Sequence, residues 1–174
     1  AALLVEDLDL PHISTGEVLR AAVKSDTLLG RKAKAVMDRG ELVPDDIMLG
    51  LMEERLSETD VENGFILDGY PRNLAQAEAL DELLERLGRP VDEALQIDID
   101  IEMVIQRIAK RAAEEGRSDD TEAVVRNRMK IYAEQTAPVV DYYARRGILS
   151  RVLGEGTIDE VFQRIRGVLQ IRSS

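Results

Sequence analysis

Cysteine is absent from the 174 residues, and histidine occurs once, at His12. Without thiols the chain forms neither a disulfide nor a thiolate zinc site, and one imidazole cannot build a metal centre alone. Any metal it uses must be a hard, oxygen-ligated cation. Long hydrophobic runs are missing too: nothing approaches the roughly 20 apolar residues of a membrane span, and no basic segment with an apolar signal core opens the chain. A soluble, cytoplasmic protein is expected. Net positive charge is lacking as well. At a formal charge of -11 the chain has no basic face with which to gain from counterion release, which argues against nucleic acid as a partner. Lysine is scarce, with 5 against 18 arginines. The planar guanidinium fork suits bidentate phosphate or carboxylate binding, so small phosphates stay open, although arginine-favouring base composition would give the same bias.

What is present suffices for one well-buried core. A chain of 174 residues, 44% hydrophobic, is too short for two independent domains of typical size, so a single domain with insertions is expected over residues 1–174. There are no repeats or low-complexity tracts. Helix-like and strand-like segments alternate, which predicts an α/β fold with a largely parallel sheet flanked by helices. Ala1 to Leu8 reads as the end of an amphipathic helix with no cap before it. Pro11 to Ser14 reads as extended, with Ser14 or Thr15 capping a helix whose first turn carries Glu17. Further helices are predicted from about Gly30 to Asp38, from Asp45 or Asp46 to Leu56, from Leu74 to Leu87 and from Glu102 to Glu115. A long one follows from about Thr121 to Arg145. Strands are predicted over Ala94–Ile99 and Ile148–Leu153. Thr157 and Glu160, three apart, form a capping box for a last helix.

The most informative segment is Gly64-Phe65-Ile66-Leu67-Asp68-Gly69-Tyr70-Pro71-Arg72. Its apolar run reads as a strand covered on both faces, with Asp68 emerging at the carboxyl edge where parallel sheets bind ligands. Gly69 lets backbone approach a ligand, and Pro71 restricts Tyr70 and itself, so Arg72 is presented in one orientation. Taken alone, the pattern fits an ordinary loop equally well.

Two further segments change the balance: His12 to Arg20, containing Ser-Thr-Gly and an arginine four residues on, and Gly116-Arg117-Ser118-Asp119-Asp120 with Arg126 and Arg128 beyond. With Asp68 to Arg72 and the pair Arg107 and Arg111, they make the chain resemble the adenylate kinase family of nucleoside monophosphate kinases, in order over essentially its whole length. The resemblance implies a P-loop NTPase-like core with a helical AMP-binding insertion over 14–43 and a short lid over 111–120. It implies transfer of the terminal phosphoryl group of ATP to AMP, giving two ADP, with magnesium. Thr15 and Arg20 resemble AMP contacts, Glu41, Leu42 and Val43 the backbone strip along adenine, and Met37 a hydrophobic wall. Gly69, Tyr70, Pro71 and Arg72 correspond to the loop at the AMP phosphate and base, and Gln76 to the side chain that hydrogen-bonds adenine. Arg107 and Arg111 resemble the arginines on the ATP side, Arg117 and Arg128 the pair closing on both nucleotides' phosphates, and Asp119 and Asp120 the lid-hinge carboxylates. Gly156 and the backbone of Ile158 match the loop along the ATP adenine. Asp68 resembles the carboxylate that organises magnesium through water. His12 is expected to be an ordinary structural residue, and the protein a monomer.

The family's glycine-rich loop with its lysine, G-x-x-x-x-G-K, has no match. Ala1 to Leu4 match the middle of the helix after that loop, so the loop and the central strand before it are expected upstream; without that strand, its two neighbouring apolar strands would be exposed. Two rival readings accompany the adenylate kinase one: a UMP or CMP kinase on the same scaffold, and a catalytically inactive nucleotide-binding remnant if the molecule begins at Ala1.

Overall fold

A computed structural model describes residues 2–37, 43–107, 126, 129–130 and 132–172, with backbone alone for 36–37 and 170–172. The chain divides into two compact units, Ala1–Pro90 and Val91–Ser174. In the first, α1 (Ala2–Leu8) leads to β1 (His12–Ser14), which runs straight into α2 (Thr15–Lys24). Ser14 is extended and its hydroxyl accepts the Glu17 N–H at 3.4 Å, so the cap expected from sequence forms. Val18 and Ala22 are its buried apolar positions. The next helix, α3 (Leu28–Met37), starts two residues earlier than its pattern suggests, because the Thr27 hydroxyl accepts the Gly30 N–H at 3.0 Å and supplies a cap. Gly30 is required by packing: a β-carbon there would lie 2.0 Å from the Ala22 carbonyl oxygen of α2.

α4 (Asp45–Leu56) buries Leu51, Met52 and Leu56, packs on α2, α3 and α5 (Leu74–Arg86), and ends at a 3₁₀ turn, Thr59–Val61. Carbonyls at that end are not left orphaned. Arg89 donates to Leu56 O at 3.0 Å and Val61 O at 3.2 Å, while Arg55 holds Asp60 with two bonds of 2.9 and 2.7 Å. Between these helices β2 (Ile66–Asp68) pairs with β1 in parallel, in the register His12 with Ile66 and Ser14 with Asp68. The sequence led us to expect β2 covered on both faces. Instead Phe65, Ile66 and Leu67 are only half-buried: among the described residues β2 pairs with β1 alone, so its other edge has no strand against it. The core lies in the helices, around Leu51, Met52, Leu56, Leu80, Leu83 and Leu84.

The second unit holds a longer parallel pair, β3 (Ala94–Asp98) and β4 (Leu149–Leu153), joined in register from Ala94 with Leu149 to Asp98 with Leu153. α6 occupies residues 101–107. The continuous helix expected to Arg145 is interrupted by a π-helical turn, Tyr132–Thr136, before α7 (Ala137–Arg145). Pro138 gives the reason: it stands at the start of α7 and has no N–H to bond the carbonyl four residues back. Both α7 and α8 (Ile158–Arg172) pack on β4, burying Val139, Tyr143, Val152 and Ile165. The crossover of helices between β3 and β4 is what a parallel pair requires.

Candidate active site

The β1–β2 register places His12 and Asp68 diagonally on one face, and the imidazole Nε2 lies 3.1 Å from Asp68 Oδ2. The Asp68 side chain is still 61% exposed. It stands at the carboxyl end of β2, as its sequence context indicates. The loop that follows turns through Gly69, whose φ of +78° disfavours any residue with a β-carbon. A methyl group there would also lie 3.4 Å from Thr15 Oγ1 and 3.5 Å from Arg72 Nη2. Thr15, buried at the start of α2, therefore meets the loop carrying Arg72. Arg20, exposed on the next turn of α2, folds its guanidinium back over Gly16.

Arg72 is fixed by its own loop. Its Nε donates to Gly69 O at 2.8 Å, and its backbone N–H donates to Gln76 Oε1 at 2.7 Å. The Tyr70–Pro71 peptide is cis. Asn73 caps α5 by accepting the Gln76 N–H at 2.8 Å, so the amide of Gln76 reaches past the cap to the residue before it, one step beyond the usual capping box. Its other end, Nε2, donates to Asp45 Oδ1 at 2.6 Å, and Asn73 Nδ2 donates to Asp45 Oδ2 at 3.2 Å. Tyr70 is buried beneath this network. Its hydroxyl has no hydrogen-bond partner among the described residues, and burial, with a smaller contribution from the Asp45 carboxylate, pushes its pKa up to about 12.

In the second unit the loop after β4 is held by two arginines. Arg107 donates to Gly154 O and Gly156 O, each at 3.3 Å, and Arg164 donates to Leu153 O at 2.8 Å and Glu155 O at 2.6 Å. The capping box forms: the Thr157 N–H reaches Glu160 Oε2 at 2.7 Å, and the Glu160 N–H reaches Thr157 Oγ1 at 3.2 Å. The Thr157 N–H, and then its hydroxyl, hold the Glu160 carboxyl below the usual carboxylate range. Ile158, expected along a base, is 79% exposed.

Thr15, Gly69 and Arg72 are thus brought together, with Gln76 bonded to the Arg72 backbone and Arg107 on the loop of Gly156. Val43 is half-buried before α4, and Met37 ends α3. Glu41, Leu42, Arg111, Arg117, Asp119, Asp120 and Arg128 lie outside the described residues, as does the segment expected to be the lid. Sequence reasoning missed Asp45 and Arg164, whose partners are distant or backbone atoms and leave no local signal. Asn73 carried one: an asparagine just before a helical pattern with glutamine three residues later.

A family model described as adenylate kinase matches residues 1–148. An adenylate kinase of Stenotrophomonas maltophilia strain K279a is 54% identical over 170 residues, spanning 98% of this chain and 91% of the relative. Those of Xanthomonas euvesicatoria pv. vesicatoria and Xanthomonas oryzae pv. oryzae are 54% and 53% identical over 169 residues, 97% of this chain and 90% of each relative. These matches give no support to a UMP or CMP kinase.

Proposed function

Because the chain belongs to the adenylate kinase family, its reaction is the reversible transfer of a phosphoryl group from ATP to AMP, and we propose that the Thr15, Gly69, Arg72 and Gln76 cluster is where AMP binds. The observation that carries this assignment is the convergence of Thr15 with the Gly69–Arg72 loop, Gly69 lying 54 positions further on, beside the Gln76 amide bonded to the Arg72 backbone. Arg72 supplies a fixed positive charge for the AMP phosphate. Gln76 has donor and acceptor capacity left for adenine, and Thr15 and Arg20 close the phosphate side from α2.

Phosphoryl transfer runs through a transition state whose charge sits on peripheral oxygens, so catalysis is mostly positioning and electrostatic stabilisation, which arginines provide without changing protonation. Arg107 and Arg111 serve the ATP side. Arg117 and Arg128 close on both nucleotides' phosphates, Asp119 and Asp120 anchor that closure, and a short lid over 111–120 excludes water that would otherwise hydrolyse ATP. Met37, Glu41, Leu42, Val43, Tyr70 and Pro71 line the AMP base and loop, and Gly156 with Ile158 the ATP base. The insertion over 14–43 within one kinase-like domain, a cytoplasmic location and a monomeric state belong to the same proposal.

Magnesium fits the donor set. Among the described residues no cluster of three ligands exists, and Asp68 is a single exposed carboxylate at a strand end, suited to a cation that keeps several of its waters. When bound with ATP, the ion neutralises phosphate charge. Initial rates with AMP, UMP and CMP at saturating ATP test the reading. AMP should lead in kcat/KM by about 10²-fold or more; comparable values for a pyrimidine monophosphate would overturn the assignment of the base contacts.

A further inference from the structure

We propose that Asp45 is a positioning residue for base selection: by pinning one end of the Gln76 amide, it makes the site select 6-amino over 6-oxo purine monophosphates. The inference rests on the reading above that Gln76 meets the AMP base. A carboxamide has two ends of nearly the same shape, so an unrestrained glutamine can present either a donor or an acceptor at a given point. Gln76 is restrained at both ends. Its Oε1 accepts from the Arg72 N–H at 2.7 Å, and its Nε2 donates to Asp45 Oδ1 at 2.6 Å. Turning the amide over would set an NH₂ against an N–H and an oxygen against a carboxylate, two repulsive contacts in place of two bonds.

Asp45 is itself held in place. Asn73 Nδ2 donates to its other oxygen at 3.2 Å, and it lies in the first turn of α4, where the helix N-terminus favours a carboxylate. After these bonds Gln76 keeps one N–H and one lone pair, in a fixed order. Adenine offers a 6-amino donor beside a ring-nitrogen acceptor and matches such a pair. A 6-oxo purine offers an acceptor at that position and would need the amide reversed, which the two bonds forbid. Arg72 N–H is a backbone group and cannot be altered by substitution. The selectivity is therefore open to change at Asp45.

The test measures kcat and KM on the full chain for AMP and for inosine monophosphate, a 6-oxo purine, with ATP saturating. Asp45→Ala should lower the AMP-to-IMP ratio of kcat/KM about tenfold, the worth of one good hydrogen bond, chiefly through KM for AMP. Its kcat for AMP should stay within about twofold. Asp45→Asn, whose carboxamide oxygen still accepts from Nε2, should recover most of the ratio. An unchanged ratio in Asp45→Ala overturns the proposal, and so does an Asn variant as damaged as the Ala variant, which would mark a loss of helix-end charge alone. Gln76→Ala separates the two levels. If it lowers the ratio while Asp45→Ala does not, only this inference falls; if it leaves the ratio unchanged, Gln76 does not read the base and both fall.

Discussion

The two units hold their candidate sites by different means. In Ala1–Pro90, side chains orient other side chains as well as backbone: His12 meets Asp68, and Asp45 takes both Gln76 and Asn73. In Val91–Ser174, side chains hold backbone: Arg107 and Arg164 between them bind the carbonyls of Leu153, Gly154, Glu155 and Gly156. The difference fits what each would recognise. A fixed side-chain amide can distinguish donor from acceptor on a base, whereas a backbone loop offers shape and a repeating polar edge to any flat ring.

The largest test falls on the side-chain site. If Arg72 binds the AMP phosphate as proposed, Arg72→Ala should lower kcat/KM by about 10³-fold or more. Near-normal turnover in that variant, with the fold intact by circular dichroism, would break the contrast at its centre. Arg107→Ala addresses the backbone site. Freeing the Gly154 and Gly156 carbonyls should raise KM for ATP about tenfold and leave KM for AMP within about twofold. Equal effects on both nucleotides would show that the two sites are not independent.

Smaller effects sharpen the picture at the edges. Thr157→Ala removes the hydroxyl that caps α8 while its backbone N–H can still reach Glu160, and should cost about 1 kcal/mol in unfolding free energy. The cap also has a pH signature. The folded Glu160 pKa is depressed, so its contribution is present above the unfolded value and lost as pH falls through the folded one. The gap in thermal midpoint between the parent and Glu160→Ala should therefore shrink from about pH 7 to about pH 3. A constant gap would mean that Glu160 is not part of the cap in solution. Tyr70→Phe deletes a buried hydroxyl with no partner among the described residues, so stability should be unchanged or higher by up to about 1 kcal/mol. A clear loss would reveal a bond for that hydroxyl.

Signals that act within a few residues were legible in the chain. Ser14 caps α2, Thr157 and Glu160 form their box, α4 spans Asp45–Leu56, and β3 and β4 fall within a residue of their expected bounds. So was the family, because its motifs are themselves local strings. The local logic failed where context overrode it: Phe65 to Leu67 look fully buried by composition yet are not, since composition does not reveal which strands stand beside β2.

The sequence by itself determined most of the segments that are helix or strand and where several of them are capped, since each depends on backbone preferences and neighbours three or four positions away. Tertiary structure alone decided which distant groups meet. His12 with Asp68, Asp45 with Gln76 and Arg107 with Gly154 are 56, 31 and 47 residues apart. Contacts at such separations are set by strand register and helix packing, which place two groups within 3 Å or so only after the whole unit has closed around its core.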